Sequence, residues 1–283
     1  MISKFRIGAL VIILNFFASV AMIWGQDNPS LLQMAVPSLN IAPDARGGGM
    51  GDMGAATLPD INSQYWNAAK YAFMGSKAGV SLSYTPWLRK LVNDVALVNM
   101  TGYYKLGNSD LQAISASLRY FSLGEVNIWE NIGDVPYGLN PYEMAFDVAY
   151  SRKLSESYSM AVTLRYIRSD MGTDQNDESN AGNAFSADIS GYLEKYVLMG
   201  NAEALWSFGF NLSNIGSKIS YDGGNTNQYL PAKLTLGTGL LYPIDDYNQI
   251  GVYLDLNKYM VPYAPQKEEG ETDADYQTRV DDY

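Results

Sequence analysis

The chain has 283 residues, with 30 acidic and 19 basic side chains, so its formal net charge is −11 at pH 7. This acidic balance argues against nucleic acid as a partner, because the phosphates require a basic surface. Histidine and cysteine are both absent, which excludes a serine–histidine nucleophile, histidine metal ligands, disulfides and thiolate chemistry. We therefore expect a protein that is not an enzyme and that holds neither a cofactor nor a metal ion.

The N-terminus has the layout of a signal peptide. Lys4 and Arg6 precede an apolar run over residues 7–24, and the small residue Gly25 follows at the expected cleavage point. A single transmembrane anchor is the alternative, because the run is nearly long enough to span a bilayer. We predict that residues 1–25 are a signal peptide.

Residues 26–76 form the second predicted unit, and the centre of this unit is rich in glycine. Glycine allows close approach of backbones and adopts positive φ at low steric cost. A flexible linker is the alternative, but linkers seldom carry so many aromatic residues. We predict a compact plug inside a larger structure, with neither helix nor strand in its glycine run. The predicted plug residues are Asp44, Arg46, Gly47, Gly48, Gly49, Met50, Gly51, Trp66, Asn67 and Lys70.

Two motifs in this unit resemble a known family. DARGGGMGDMGAAT at residues 44–57, followed by SQYWNAAKYAF at residues 63–73, is similar to the N-terminal region of the FadL-like outer-membrane barrels. Within them it most resembles the PorV family of the type IX secretion system of Bacteroidetes. YTPWL at residues 84–88 and GYYKLG at residues 102–107 extend the resemblance over most of the chain. Ala68 departs from it, because a proline is expected there.

From residue 77 onward, apolar residues alternate with small or polar ones, which is the period of a β-strand. We count nine strands within residues 77–260. Short and long connections alternate between them, as in outer-membrane barrels with short periplasmic turns and long outer loops. The short connections are predicted at residues 107–110, 154–157, 195–201 and 243–247, and the long ones at 124–142, 170–182 and 215–232. The predicted fold is therefore all-β, a transmembrane antiparallel β-barrel with an N-terminal plug.

The two faces of the predicted strands have different compositions. One face carries large apolar residues with tyrosines at its ends, such as Tyr158 and Tyr166, and we expect it to face lipid. The other face is mostly serine, alanine, glycine and threonine, which leaves room for a plug. We expect Arg46 and Lys70 to pair with inward carboxylates such as Asp147 or Asp188, or else to be solvated.

Nine is an unusual number of strands for a bacterial barrel, because these barrels normally have an even number. The FadL-like fold, which the resemblance implies, closes with fourteen strands. We therefore expect the C-terminal strands to be absent from this chain. Residues 261–283 are acidic, and we expect them to form an exposed loop.

Large apolar residues occur in segments that the predicted topology places in outer loops. Exposed apolar residues of this kind often mark a contact with a partner. The alternative is that these loops fold back over the barrel mouth. The candidate partner-binding residues are Trp87, Leu88, Leu91, Trp129 and Tyr137.

The resemblance implies a function in protein secretion at the outer membrane. It implies a shuttle that takes the C-terminal signal domains of secreted cargo from the type IX translocon channel protein. The shuttle then presents them to the sortase PorU and the other proteins of the attachment complex. Outer-membrane lipid and lipopolysaccharide are further expected partners. A FadL-type transporter of small hydrophobic molecules is the alternative, because a fold does not settle a function.

Overall fold

The structure is a computed structural model. It describes residues 32–87, 89–92, 94–107, 110–129, 135–172, 181–200, 202–222, 227–263, 265, 267 and 270–281. The predicted signal peptide, residues 1–25, lies outside this part of the chain. Met34–Val261 form one compact unit, and the described part of Pro262–Tyr283 belongs to a second one.

The larger unit is built on one antiparallel sheet of nine strands, which confirms the predicted all-β fold class. Two further short strands lie within the connection predicted at residues 124–142, so the prediction of nine strands in all missed these two. The strands are β1 (Ala78–Pro86), β2 (Val95–Leu106), β3 (Gln112–Leu123), β4 (Val126–Ile128), β5 (Tyr137–Leu139), β6 (Tyr142–Lys153), β7 (Tyr158–Asp170), β8 (Gly182–Met199), β9 (Ala202–Gly216), β10 (Lys233–Pro243) and β11 (Gln249–Tyr259). Their order in the sheet is β1-β2-β3-β6-β7-β8-β9-β10-β11, so β1 and β11 are the two edges and the sheet is not closed in the described residues. Among the described residues, the short strands β4 and β5 pair with each other and with no strand of the large sheet. No helix in the described part of the chain is long and apolar enough to cross a membrane.

Connections of two different kinds define two ends of this sheet. At the turn end the connections are short, namely residues 107–111, 154–157, 200–201 and 244–248; at the loop end they are residues 87–94, 124–141, 171–181 and 217–232. The alternation of short and long connections is therefore confirmed. The turn predicted at residues 195–201 is wrong, because β8 continues to Met199 and pairs with β9 as far as Ala202. The apolar residues 196–199 continue the strand past Lys195.

The alternation of side chains along the strands separates a covered face from an exposed one. In β6, for example, Phe146 is 46% exposed, whereas the neighbouring residue Asp147 is 6% exposed. Alternate residues of a strand point to opposite faces of the sheet. The face with small and polar residues is therefore the covered face, as predicted.

Residues 34–77, here called the inner segment, lie against the covered face. They contain a 3₁₀ turn at Pro37–Asn40, the short helices α1 (Ala45–Gly49) and α2 (Ser63–Trp66), and a 3₁₀ helix at Ala68–Phe73. The prediction that the glycine run forms no helix is wrong at α1. Asp44 caps this single turn, because its side chain accepts a hydrogen bond from the backbone N–H of Gly47.

The inner segment crosses the sheet from the loop end to the turn end. Near its start, the backbone N–H of Ala35 donates to the carbonyl oxygen of Tyr229 in the β9–β10 connection, at 2.9 Å. Near its C-terminal end, Lys105 at the turn end of β2 donates to the carbonyl oxygen of Met74 at 2.7 Å.

Each half of the inner segment is anchored to the sheet by an apolar cluster. The cluster at the loop end contains Val36, Leu39, Ile167, Ile219 and Leu230, and that at the turn end contains Ala69, Tyr71, Tyr103, Ala149 and Tyr192.

The smaller unit contains the helix α3 (Asp273–Asp281). The prediction that residues 261–283 form only an exposed loop is therefore wrong. The hydroxyl of Thr272 accepts from the backbone N–H of Asp275 at 3.2 Å and donates to its carboxylate at 2.7 Å. Thr272 therefore caps the start of α3. Threonine followed three residues later by an acidic residue was a helix-start signal present in the sequence.

Candidate functional site

The indole ring of Trp66 lies at the centre of the inner segment, and the backbone folds closely around it. A β-carbon at Gly54 would be 2.2 Å from a ring carbon of Trp66, and one at Gly47 would be 2.4 Å from another. The indole Nε1 donates to one carboxylate oxygen of Asp44 at 2.9 Å. The second oxygen accepts from the backbone N–H of Gly47 at 2.7 Å. The ring fits only because both positions lack a side chain.

The other glycines of the predicted plug are used differently. Gly51 has a φ of +79°, a left-handed conformation that glycine adopts at little cost. Gly48 and Gly49 are exposed, Met50 is half-buried, and no neighbouring atom lies within 4 Å of a β-carbon built at Gly49. Glycine is therefore required at residues 47, 51 and 54, and not at residues 48 and 49.

Asn67 ties the inner segment to the sheet. Its side-chain amide donates to the carbonyl oxygens of Ala55 at 2.8 Å and of Gly191 in β8 at 2.9 Å. Its Oδ1 accepts from the backbone N–H of Ala69 at 3.1 Å. A β-carbon at Gly209 of β9 would be 1.9 Å from the carbonyl oxygen of Ala55. At this point the two backbones are in direct contact.

Lys70 is fully buried within the inner segment. Its Nζ donates to the carbonyl oxygen of Gly54 at 2.9 Å and to the hydroxyl of Thr57 at 3.1 Å. Burial lowers the pKa of Lys70 to about 8, because desolvation disfavours the charged amine. The predicted pairing of Lys70 with Asp147 or Asp188 is wrong, because an arginine of the sheet binds both carboxylates.

The ion-pair partner of Arg46 also differs from the predicted one. Its guanidinium pairs with Asp60 of the inner segment, with 2.5 Å between Nη1 and Oδ2, and not with a carboxylate on a strand. Both side chains are partly exposed, and ion pairs in such surroundings contribute little to stability. This contact closes a turn of the inner segment and does not attach it to the sheet.

The arginine that binds the inward carboxylates is Arg165 of β7. Its guanidinium contacts both oxygens of Asp147 at 2.7 and 3.1 Å and both oxygens of Asp188 at 2.9 and 3.1 Å. It also donates to Asn214, whose backbone N–H donates to Asp188 at 2.7 Å. All four residues are buried. This network joins β6, β7, β8 and β9 across the covered face.

Arg119 of β3 is a second buried arginine that the sequence interpretation missed. Its Nη1 donates to the carbonyl oxygens of Ser38 at 2.7 Å and Ile41 at 3.1 Å. Its guanidinium carbon lies 4.5 Å from the ring centre of Tyr65, a cation–π geometry. Arg119 therefore holds the first part of the inner segment against the sheet. An inward-facing arginine in a strand of small residues was the available signal.

The cavity beside Arg119 and Arg165 is large enough only for water-sized molecules. A polar cavity of about 30 Å³ lies among Arg119, Arg165, Lys233 and Asp255, together with other residues of the sheet and inner segment. Such a volume holds one or two water molecules. The described residues contain no group of three or more acidic side chains that could hold a metal ion.

The candidate partner-binding residues lie on connections at the loop end. Trp87 and Leu91 belong to the β1–β2 connection, Trp129 directly follows β4, and all three side chains are exposed. Leu88 lies outside the described residues, as does the side chain of Tyr137, whose backbone begins β5. Their role in binding a partner stays a prediction.

The antiparallel sheet, with large apolar residues on its exposed face and an inner segment on its covered face, defines an all-β protein of the barrel class. The family model described as type IX secretion system protein PorV matches residues 25–267. The chain therefore belongs to the PorV family and is a component of the type IX secretion system. No curated protein matches the chain.

Proposed function

We propose that this protein is an outer-membrane barrel that binds secreted cargo during type IX secretion. It takes the C-terminal signal domain of the cargo at the translocon channel protein. It then delivers the cargo to the sortase PorU and the attachment complex at the cell surface. Membership of the PorV family, over residues 25–267, is the observation that carries this proposal.

The proposed topology follows from the sheet. The exposed face carries the large apolar side chains, which suits lipid, and the loop end carries the long connections, which in outer-membrane barrels lie outside the cell. In this arrangement residues 1–25 are a signal peptide, residues 26–76 a plug, and residues 77–260 barrel strands.

The packing of the inner segment supports binding at the surface over transport through the lumen. Asn67, Lys70 and Tyr71 are fully buried between the inner segment and the sheet. The cavity beside Arg165 is about 30 Å³, far below the volume of a fatty acid. A FadL-type transporter would have to displace a segment that is hydrogen-bonded to the strands at Ser38, Asn67 and Met74.

The exposed apolar residues at the loop end are the proposed contact surface for cargo. In protein interfaces a few aromatic anchors contribute most of the binding energy, and truncating one typically costs about 2 kcal/mol or more. Trp87 and Trp129 are the exposed tryptophans at this end of the sheet in the described residues. They are therefore the first side chains to test.

The test uses full-length protein carrying Trp87→Ala and Trp129→Ala in cells that secrete a type IX cargo. We expect cargo at the cell surface to decrease and unprocessed cargo to accumulate, while uptake of a labelled long-chain fatty acid stays unchanged. Tyr247→Ala is the matched control, because Tyr247 is an exposed aromatic residue at the turn end. Normal cargo display together with lost fatty-acid uptake would favour the transporter.

A further inference from the structure

The hairpin of β8 and β9 extends beyond its neighbours at the turn end of the sheet. The last residue of β8 that pairs with β7 is Leu193, opposite Tyr158. The β8–β9 pairing nevertheless continues to Met199 and Ala202. β7 cannot follow, because the chain turns at residues 154–157 into β6. Residues 195–199 therefore have β9 on one side and no described strand on the other.

The hydrogen bond between Glu194 of β8 and the turn at residues 154–157 shows which backbone groups of β8 point to this open side. The N–H of Glu194 donates to the carbonyl oxygen of Ser157 at 2.9 Å, so the backbone groups of Glu194 point away from β9. In an antiparallel pair, alternate residues direct their N–H and C=O to the same side. The backbone groups of Tyr196 and Leu198 therefore point to the open side, whereas those of Lys195 and Val197 bond to β9.

The side chains along this edge are apolar and exposed. Tyr196 is 68% exposed and Leu198 is 75% exposed. Tyr196 and Leu198 are separated from Tyr192 by even numbers of residues, so their side chains lie on the same face of β8 as that of Tyr192. Tyr192 is buried on the covered face, so Tyr196 and Leu198 point away from the face that suits lipid. Lipid would in any case leave the open backbone donors and acceptors without partners.

Natural proteins usually protect a free strand edge with proline, a bulge or charged residues. The stretch from Tyr196 to Met199 contains neither proline nor a charged side chain. The register of β8 and β9 is also regular from Ile189 to Met199, without a bulge. An unprotected apolar edge of this length is suited to pairing with another strand.

We propose that the edge of β8 at residues 196–199 binds an extended segment of a partner polypeptide, which adds as a strand beside Tyr196 and Leu198. The partner segment would carry apolar side chains at alternate positions to cover these two residues. The edge itself does not depend on the proposed function, although its periplasmic location rests on the proposed orientation. The site lies at the opposite end of the sheet from Trp87 and Trp129, so it is separate from the proposed cargo surface.

Two substitutions at one position separate backbone pairing from simple apolar contact. Leu198→Pro removes the N–H on the open side without removing a bond to β9, whereas Leu198→Ala keeps that N–H. Full-length protein with a photo-crosslinking amino acid at Met199 is irradiated in native membranes. We expect crosslinking in Leu198→Pro to be about five-fold lower than in Leu198→Ala, which corresponds to the loss of one hydrogen bond. Equal yields in the two variants, or an adduct with the mass of a second copy of this chain, would overturn the proposal.

Backbone hydrogen exchange gives an independent measurement on the unsubstituted protein. In purified protein the amides of Lys195 and Val197 should exchange slowly and those of Tyr196 and Leu198 quickly. In native membranes all four should exchange slowly. Slow exchange of Tyr196 and Leu198 in the purified protein would mean that the chain covers its own edge, and fast exchange in membranes would mean that no strand is added. Either result refutes the proposal, and neither depends on cargo display.

Discussion

The indole ring of Trp66 rests on the backbone of Gly54, so closely that a β-carbon at residue 54 would lie 2.2 Å from Cγ of the ring. Two hydrogen bonds hold Trp66 in place. Its indole Nε1 donates to the carboxylate of Asp44, and its backbone carbonyl oxygen accepts from Asn211 of β9 at 3.1 Å. The glycine at residue 54 is therefore a steric requirement of the packed inner segment.

The first prediction is that Gly54→Ala destabilises the protein. The added methyl group must displace the ring or the backbone, and overpacking of this kind typically costs about 1–3 kcal/mol. The measurement is the unfolding midpoint of the full-length protein in detergent, followed by tryptophan fluorescence.

Gly49→Ala is the matched control in the same glycine run. The β-carbon meets no atom within 4 Å, and alanine has a higher helix propensity than glycine by about 1 kcal/mol. Stability equal to or above that of the unsubstituted protein is expected. Equal destabilisation by both substitutions would show that glycine at residue 54 serves flexibility and not packing against Trp66.

The second prediction concerns the buried network of Arg165. Arg165→Met leaves the carboxylates of Asp147 and Asp188 buried on the covered face without their counterion. Removing one partner of a buried ion pair typically costs about 3–5 kcal/mol. We expect impaired assembly or a large decrease in the temperature at which the folded protein unfolds on a gel.

A compensating variant tests the reason for this loss. Combining Arg165→Met with Asp147→Asn and Asp188→Asn removes the charges together, so most of the stability should return. If the triple variant is as unstable as the single one, the guanidinium acts through its shape and hydrogen bonds. The uncompensated charge would then not be the cause.

The alternation of the strands was predictable because it depends on neighbours in sequence. Phe146 and Asp147 occupy opposite faces of β6 whatever the rest of the chain does. The role of Trp66 was partly predictable, since glycines and an aromatic residue in one segment indicate close packing. The family resemblance to PorV was visible in the same residues.

The ion pairs were not predictable, because they depend on register. Asp147 is opposite Arg165 only in the observed pairing of β6 and β7. Once that pairing exists, Asp147 and Asp188 are bound to Arg165, and Lys70 is held by carbonyl and hydroxyl oxygens instead. The length of β8 was missed for a related reason. Lys195 interrupts the apolar pattern, but the pairing of Tyr196 with Leu205 continues beyond it.

A third prediction follows from the burial of Lys70. Burial lowers the pKa of Lys70 to about 8 in the folded protein, whereas in the unfolded chain it is about 10.4. Between these values the unfolded state binds more protons than the folded state, so stability rises with pH. Below pH 8 both states are protonated, and the penalty for burying the charge is then present in full.

The variant Lys70→Met isolates this contribution from other titrating groups. The stability of the unsubstituted protein relative to Lys70→Met should increase as the pH rises from about 8 to about 10. Urea unfolding of both proteins in detergent at several pH values measures this difference. A difference that stays constant over this range would show that Lys70 titrates equally in both states.

The last prediction tests the proposed orientation of the sheet in the outer membrane. The chain has no native cysteine, so single cysteines can be introduced without a background. Val135→Cys places one at the loop end, and Ser155→Cys and Asp246→Cys place one each at the turn end, all at exposed positions. On intact cells a membrane-impermeant maleimide should label residue 135 and leave residues 155 and 246 unlabelled. After lysis all three should react, which serves as the control for accessibility. Labelling of residues 155 and 246 on intact cells, with residue 135 protected, would reverse the orientation and place the edge of β8 outside the cell.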